Sequence, residues 1–221
     1  MLGYCDWRLY RKLYDRCNPR EYIGWIVNDV IPSLEDEDDR ETALGWVRCV
    51  ESFIKRYIKF ASGCMTDDEV YRFYNDVLKM IDEGIDARKF QRDVVVDEEL
   101  FEATDLYYSG VITEDEYKDI KKIAEYTREA LDEEIEKLYE LKKFCIGAES
   151  KYDAIVCIEK VANTMHTRGH MLPVMCGAYL EEYIVDNVLG REREFTTLGD
   201  IGVLLSEDVA YVFECIAKFV G

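Results

Sequence analysis

The stretch TEDEYKDIKKIAEYTREALDEEIEKLYELKKFC, residues 113–145, decides the fold class. Thr113-Glu114-Asp115-Glu116 fits a capping box, in which the threonine hydroxyl and the glutamate carboxylate each satisfy an orphan amide at a helix start. Behind it Tyr117, Ile120, Ala124, Thr127, Leu131, Glu134, Leu138, Leu141 and Cys145 step alternately by three and four residues. That spacing is a heptad seam, broken by one charged position that neighbouring Ile135 relieves. The helix is expected to run from about 114 to 146, where Gly147 stops it, and to reach on the order of 45 Å. A seam that long must be covered by other helices of the chain or by a second copy. Tyr117, Ile120, Ala124, Leu131, Leu138 and Leu141 are therefore the candidate interaction residues.

The same periodicity extends in both directions. Three prolines in 221 residues leave long helices uninterrupted. Toward the N-terminus, helical faces are expected at about 4–17, then from Asn18-Pro19 to Pro32, then from Ser33 to Ser62-Gly63. A second capping box, Thr66-Asp67-Asp68-Glu69, opens a helix that Gly84 is expected to stop. Val94-Val95-Val96 is the best strand-like triplet, but a lone strand would have no partner, so residues 85–96 are assigned to a connector or a short helix. Asp97 would cap the next helix, to Gly110. Beyond the long helix, faces start at Ser150, near Cys176, at Leu198 and, after a Ser206 cap, near the C-terminus. The expectation is an all-α bundle of eight to ten helices forming a single helical domain, 1–221. A soft boundary at 85–97 would divide residues 1–84 from 98–221.

A formal charge of −19, with 47 acidic against 28 basic residues, argues against duplex nucleic acid and anionic membranes as partners. A basic protein or a cation suits that field better. No stretch approaches the roughly 20 apolar residues of a membrane span, and the first residues carry no signal-peptide pattern. A cytoplasmic location is expected. The eight cysteines include no C-x-x-C pair, and several lie in apolar helical stretches, where cysteine serves as a small hydrophobe. One glutamine in the whole chain, beside abundant Lys and Glu, is a thermophile tendency, and a thermophilic source would permit one or two bridges.

Two local resemblances fall on the turn before the long helix. Residues 105–116 resemble the calcium loop of an EF-hand, with Asp105 first, Ser109 fifth, Gly110 sixth, Thr113 ninth and Glu116 twelfth. Tyr107 departs from the pattern at the third position. Tyr108 to Tyr117 are also similar to the SHOCT hairpin, which implies a two-helix unit that mediates assembly. Neither likeness extends beyond about 97–122.

One constellation could hold a metal. Glu159, Asn163, His166 and His170 are spaced by 4, 3 and 4 and so share a helical face. His166 and His170 are the only histidines, and Glu159 is the candidate third ligand for a divalent metal ion. Cys157, Cys176, Glu182 or Asp186 could approach from nearby turns. Thr167 stands where a His-Glu-x-x-His site carries its glutamate. Phosphate-cradle and nucleophile-elbow motifs are lacking. Arg8, Arg11, Lys12 and Arg16, interleaved with Tyr10 and Tyr14, are expected to pair with acidic helices. The function expected is a non-enzymatic interaction or scaffolding protein, acting through helix association with a protein partner or a second copy. The alternatives are a metal-binding protein, hydrolytic if the ion activates water, and an acidic decoy of a nucleic-acid-binding protein.

Overall fold

The computed structural model describes residues 5–168 and 198–220. Caps and glycines set most of the helix ends. Asp6 accepts from the amides of Arg8 and Leu9, both at 3.0 Å, and opens α1, Trp7–Arg16. A short α2, Arg20–Trp25, passes through a π-helical turn, Ile26–Val30, and a 3-10 turn that ends at Ser33. Asp36, rather than Ser33, caps α3, Glu37–Ala61. The Thr66 capping box opens α4, Asp67–Phe90. Next come α5, Val96–Tyr108, then α6, Glu114–Cys145, α7, Lys151–Arg168, and α8, Leu198–Val220. Gly63, Gly110 and Gly147 hold φ of 67°, 75° and 93°, left-handed values that suit glycine alone at a helix stop. All eight are α-helices and no strand occurs among the described residues, so the chain is an all-α bundle.

Three expectations are corrected. Gly84 does not stop α4; it is buried within it. Residues 85–96 are neither a connector nor a separate short helix, because Gln91–Val95 form a π-helical turn that joins α4 to α5 without a break. The amide of Val96 bonds to the carbonyl of Gln91, five residues back, which admits one extra residue and turns the following face. Helix therefore continues from Asp67 to Tyr108, roughly 60 Å. The segment at 198–205 and the last helix are likewise one helix, α8, with Ser206 inside it.

The long α4–α5 rod and α6 form an antiparallel hairpin. Its register is fixed by charges that cross it in descending order. Lys142 pairs with Asp82, Glu134 with Arg88, Asp132 with Arg92 and Arg128 with Asp97. Two cores result. The larger joins α1 to α4, the C-terminal half of α6, α7 and α8 around Phe53, whose ring lies 5.5 Å from Phe73 and 6.1 Å from Phe213. The smaller consists of Val96, Ala103, Ile112, Ile120, Ala124 and Leu131, inside the outer end of the hairpin. We call that end, residues 96–131, the arm, and the rest the body.

The cysteines are not simply small hydrophobes. Cys5 is bonded to Cys64, Cys17 to Cys215 and Cys145 to Cys157, while Cys49 is free and exposed. Cys176 lies outside the described residues. Three bridges exceed the one or two expected. Such bonds persist where thiols are kept oxidised, or in the cytoplasm of hyperthermophiles. All three are in the body. Among the described residues, no helix is long and apolar enough to cross a membrane.

Candidate functional site

The face proposed for a metal is described only at its N-terminal end. Glu159 and Asn163 are exposed on α7 and line a cleft of about 620 Å³ between α3, α7 and α8. His166 falls near the end of α7 with its side chain outside the described set, and His170 lies outside the described residues. The cleft wall is otherwise largely apolar, with Phe60, Ile155, Phe213 and Ile216. Tyr57, also on the wall, has its phenol pushed up to about 12, first by burial and then by the negative charge of Glu159. At neutral pH it is a protonated hydroxyl and cannot serve as a base. No group of three or more His, Cys, Asp or Glu side chains among the described residues is placed to hold a metal ion.

The EF-hand likeness does not survive in the geometry. Residues 105–108 are the last turn of α5, not loop. Glu116, at the twelfth loop position, accepts from the Thr113 amide and hydroxyl, each at 2.7 Å, and closes a capping box. The Thr113 hydroxyl and then its amide hold the Glu116 carboxyl below the usual carboxylate range. A two-helix hairpin, the other shape implied here, is present.

All six candidate interaction residues face their own chain. Ile120, Ala124 and Leu131 fill the arm core, and Leu138 and Leu141 reach the body core. Tyr117 is half-buried, stacked on Tyr107 at 5.0 Å, with its hydroxyl 2.9 Å from that of Thr104. What the arm offers to solvent is a different set. Phe101 and Tyr108 are seven residues apart, hence on one face of α5, and are 68% and 81% exposed. Val111 at the tip and Tyr126 on α6 are exposed as well. The segment that carries them is acidic: residues 91–131 hold twelve acidic and five basic side chains.

The chain matches no family model, no curated protein and no solved structure.

Two features went unread in the sequence. Arg88 is only 2% exposed; its Nε donates to Glu134 at 2.7 Å and its Nη1 to the Gly84 carbonyl at 3.2 Å. A signal existed, because Arg88 continues the buried stripe of Ile81 and Ile85 on α4, and Glu134 sits on the seam of α6. Opposite charges on two stripes that both face inward point to each other. The second feature is the split of adjacent aromatics. Leu100 and Tyr107 pack against the arm core, whereas their neighbours Phe101 and Tyr108 face outward.

Proposed function

We propose that this chain is a non-enzymatic interaction protein and that the outer face of its arm is the contact element. The observation that carries this reading is the pair Phe101 and Tyr108, two large side chains left on one face of a helix whose inner seam is already filled. Aromatic side chains presented this way are characteristic anchors of protein interfaces. The acidic charge of the arm favours a protein whose contact surface is apolar at its centre and basic at its rim. It disfavours a second copy of the chain docking by the same face, since like charges would meet.

The test is affinity capture followed by quantitative binding to the captured protein, with Phe101→Ser/Tyr108→Ser beside the unaltered chain. The double variant should keep its helical circular dichroism spectrum and lose the partner. Retention of every partner by that variant would refute the reading. So would light scattering that shows dimers formed equally by both proteins.

A further inference from the structure

The basic residues of α1 do not make the pairings expected of them. Lys55, Arg56, Lys59 and Lys142 are each matched by a carboxylate elsewhere in the body. Among the described residues, the side chains of Arg8, Arg11 and Arg16 have no ion pair or hydrogen bond, and all three are exposed. They share α1 with a single acid, Asp15. Beside them an aromatic ladder runs along one helical face. The Trp7 ring meets Tyr10 edge-on at 5.6 Å, and Tyr10 stacks on Tyr14 at 5.8 Å. Trp7, at the outer end of the ladder, is 66% exposed. A cationic, tryptophan-led surface is thus left open on a chain of charge −19.

The arm is its counterpart. Glu98 and Asp105 lie three and four residues from Phe101, hence on the same face of α5, and Glu102 adjoins it. None of these three carboxylates has a partner among the described residues. Each surface therefore combines an aromatic centre with unmatched charge, and the two signs are opposite. Both surfaces are exposed in the single folded chain, so the match is available between molecules. The net charge of each copy does not forbid the approach, because charges further apart than about 8 Å are largely screened at physiological ionic strength. The adjacent charges decide, and these attract. Tryptophan and arginine are also among the side chains that most often dominate interface energies.

We propose that the partner of the arm is a second copy of this chain, with Phe101 and Tyr108 of one molecule seated against Trp7, Arg8 and Arg11 of another. This inference rests on the arm being a contact element and names what the arm meets. Because the two surfaces differ, the contact is head-to-tail. Each added copy leaves one arm and one α1 open, and growth continues until a ring closes.

The test is sedimentation equilibrium of the disulfide-intact chain and two variants at about 0.15 M salt. The weight-average mass of the unaltered chain should rise with concentration between roughly micromolar and millimolar. Phe101→Ser/Tyr108→Ser and Trp7→Ser/Arg8→Glu/Arg11→Glu should each lose that rise. Acids early in a helix suit its dipole, so the second variant should keep α1 folded, which circular dichroism checks. An equimolar mixture of the two variants should form a complex of two chains and nothing larger, because one intact arm then meets one intact α1. A single-chain mass for the unaltered protein at every concentration, undiminished association of the α1 variant, or a mixture that stays apart would overturn the inference. If the unaltered chain stays single while its arm captures a different protein, the arm reading survives and this inference falls. If the arm variant associates as strongly as the unaltered chain, both fall. Basic residues among aromatics can also grip single strands, so an oligonucleotide held by α1 of a chain that stays single would likewise overturn it.

Discussion

The body and the arm are built from the same helices yet held together by different physics. In the body, seven helices converge on one continuous core, and three disulfides tie its elements together. In the arm, a two-helix sandwich buries six apolar side chains, has no disulfide, and relies on a stacked tyrosine pair and charges that cross between its helices. A narrow core with exposed flanks opens more readily than a broad one, so the arm should exchange its amides at a lower free energy than the body. The region proposed to meet a partner is thus also the one expected to open first.

Four perturbations probe that contrast. The largest effect is expected from Cys17→Ser/Cys215→Ser, which removes a closure spanning 198 residues. It should cost about 4 kcal/mol in denaturant unfolding while leaving amide exchange in the arm unchanged relative to local opening. Glu134→Ala comes next, because it strands the buried Arg88 guanidinium where the two cores meet. A loss of about 3 kcal/mol is expected, and Arg88→Met/Glu134→Leu should recover most of it, since two apolar side chains replace a pair that was costly to desolvate. If Glu134→Ala proves neutral by thermal or chemical unfolding, the pair does not join arm to body.

A third perturbation stays within the arm. Ile120→Ala should cost about 2 kcal/mol, at the low end for such truncations because a thin core can collapse around the gap. Hydrogen exchange should show the loss at residues 96–131 and leave amides of α3 and α8 protected. A body that loosened equally would abolish the distinction between the regions. The smallest effect belongs to Thr113→Ala, about 1 kcal/mol from the lost N-cap bond. It also predicts a pH signature. The folded Glu116 carboxyl sits below its ordinary value, so its contribution is complete above that ordinary value and fades as pH falls through the lowered one. In Thr113→Ala a carboxyl titration followed by NMR should find Glu116 raised toward the ordinary range, with the backbone amide at 113 still holding it partly down.

Local chemistry made much of the fold legible. The capping boxes at Thr66 and Thr113 and the stops at Gly63, Gly110 and Gly147 involve residues a few positions apart, and each stands where the sequence places it. The break expected at 85–96 failed for an equally local reason. A π turn replaces one step of four by one of five, so the buried face passes from Gln91 to Val96, and a reading tuned to 3.6 residues per turn loses the helix there. The seam of α6 was read correctly as buried, but heptad spacing is the same whether the covering helix is the chain's own or another's. The Cys17–Cys215 disulfide brings together residues near the two ends of the chain, and no pattern within a single segment encodes such a meeting. The candidate histidines could be read only as spacing, because the structure describes neither side chain.

The Cys17–Cys215 bond also governs what a protease could accomplish. A clip at the exposed tip, between Gly110 and Val111, would divide the chain into two fragments of nearly equal size. Cys5–Cys64 lies wholly in the first fragment and Cys145–Cys157 in the second, so among the described cysteines only the Cys17–Cys215 pair would join the halves covalently. The nicked protein would run as a single band until a reductant was added, and its body would keep both sides of its core within reach of each other.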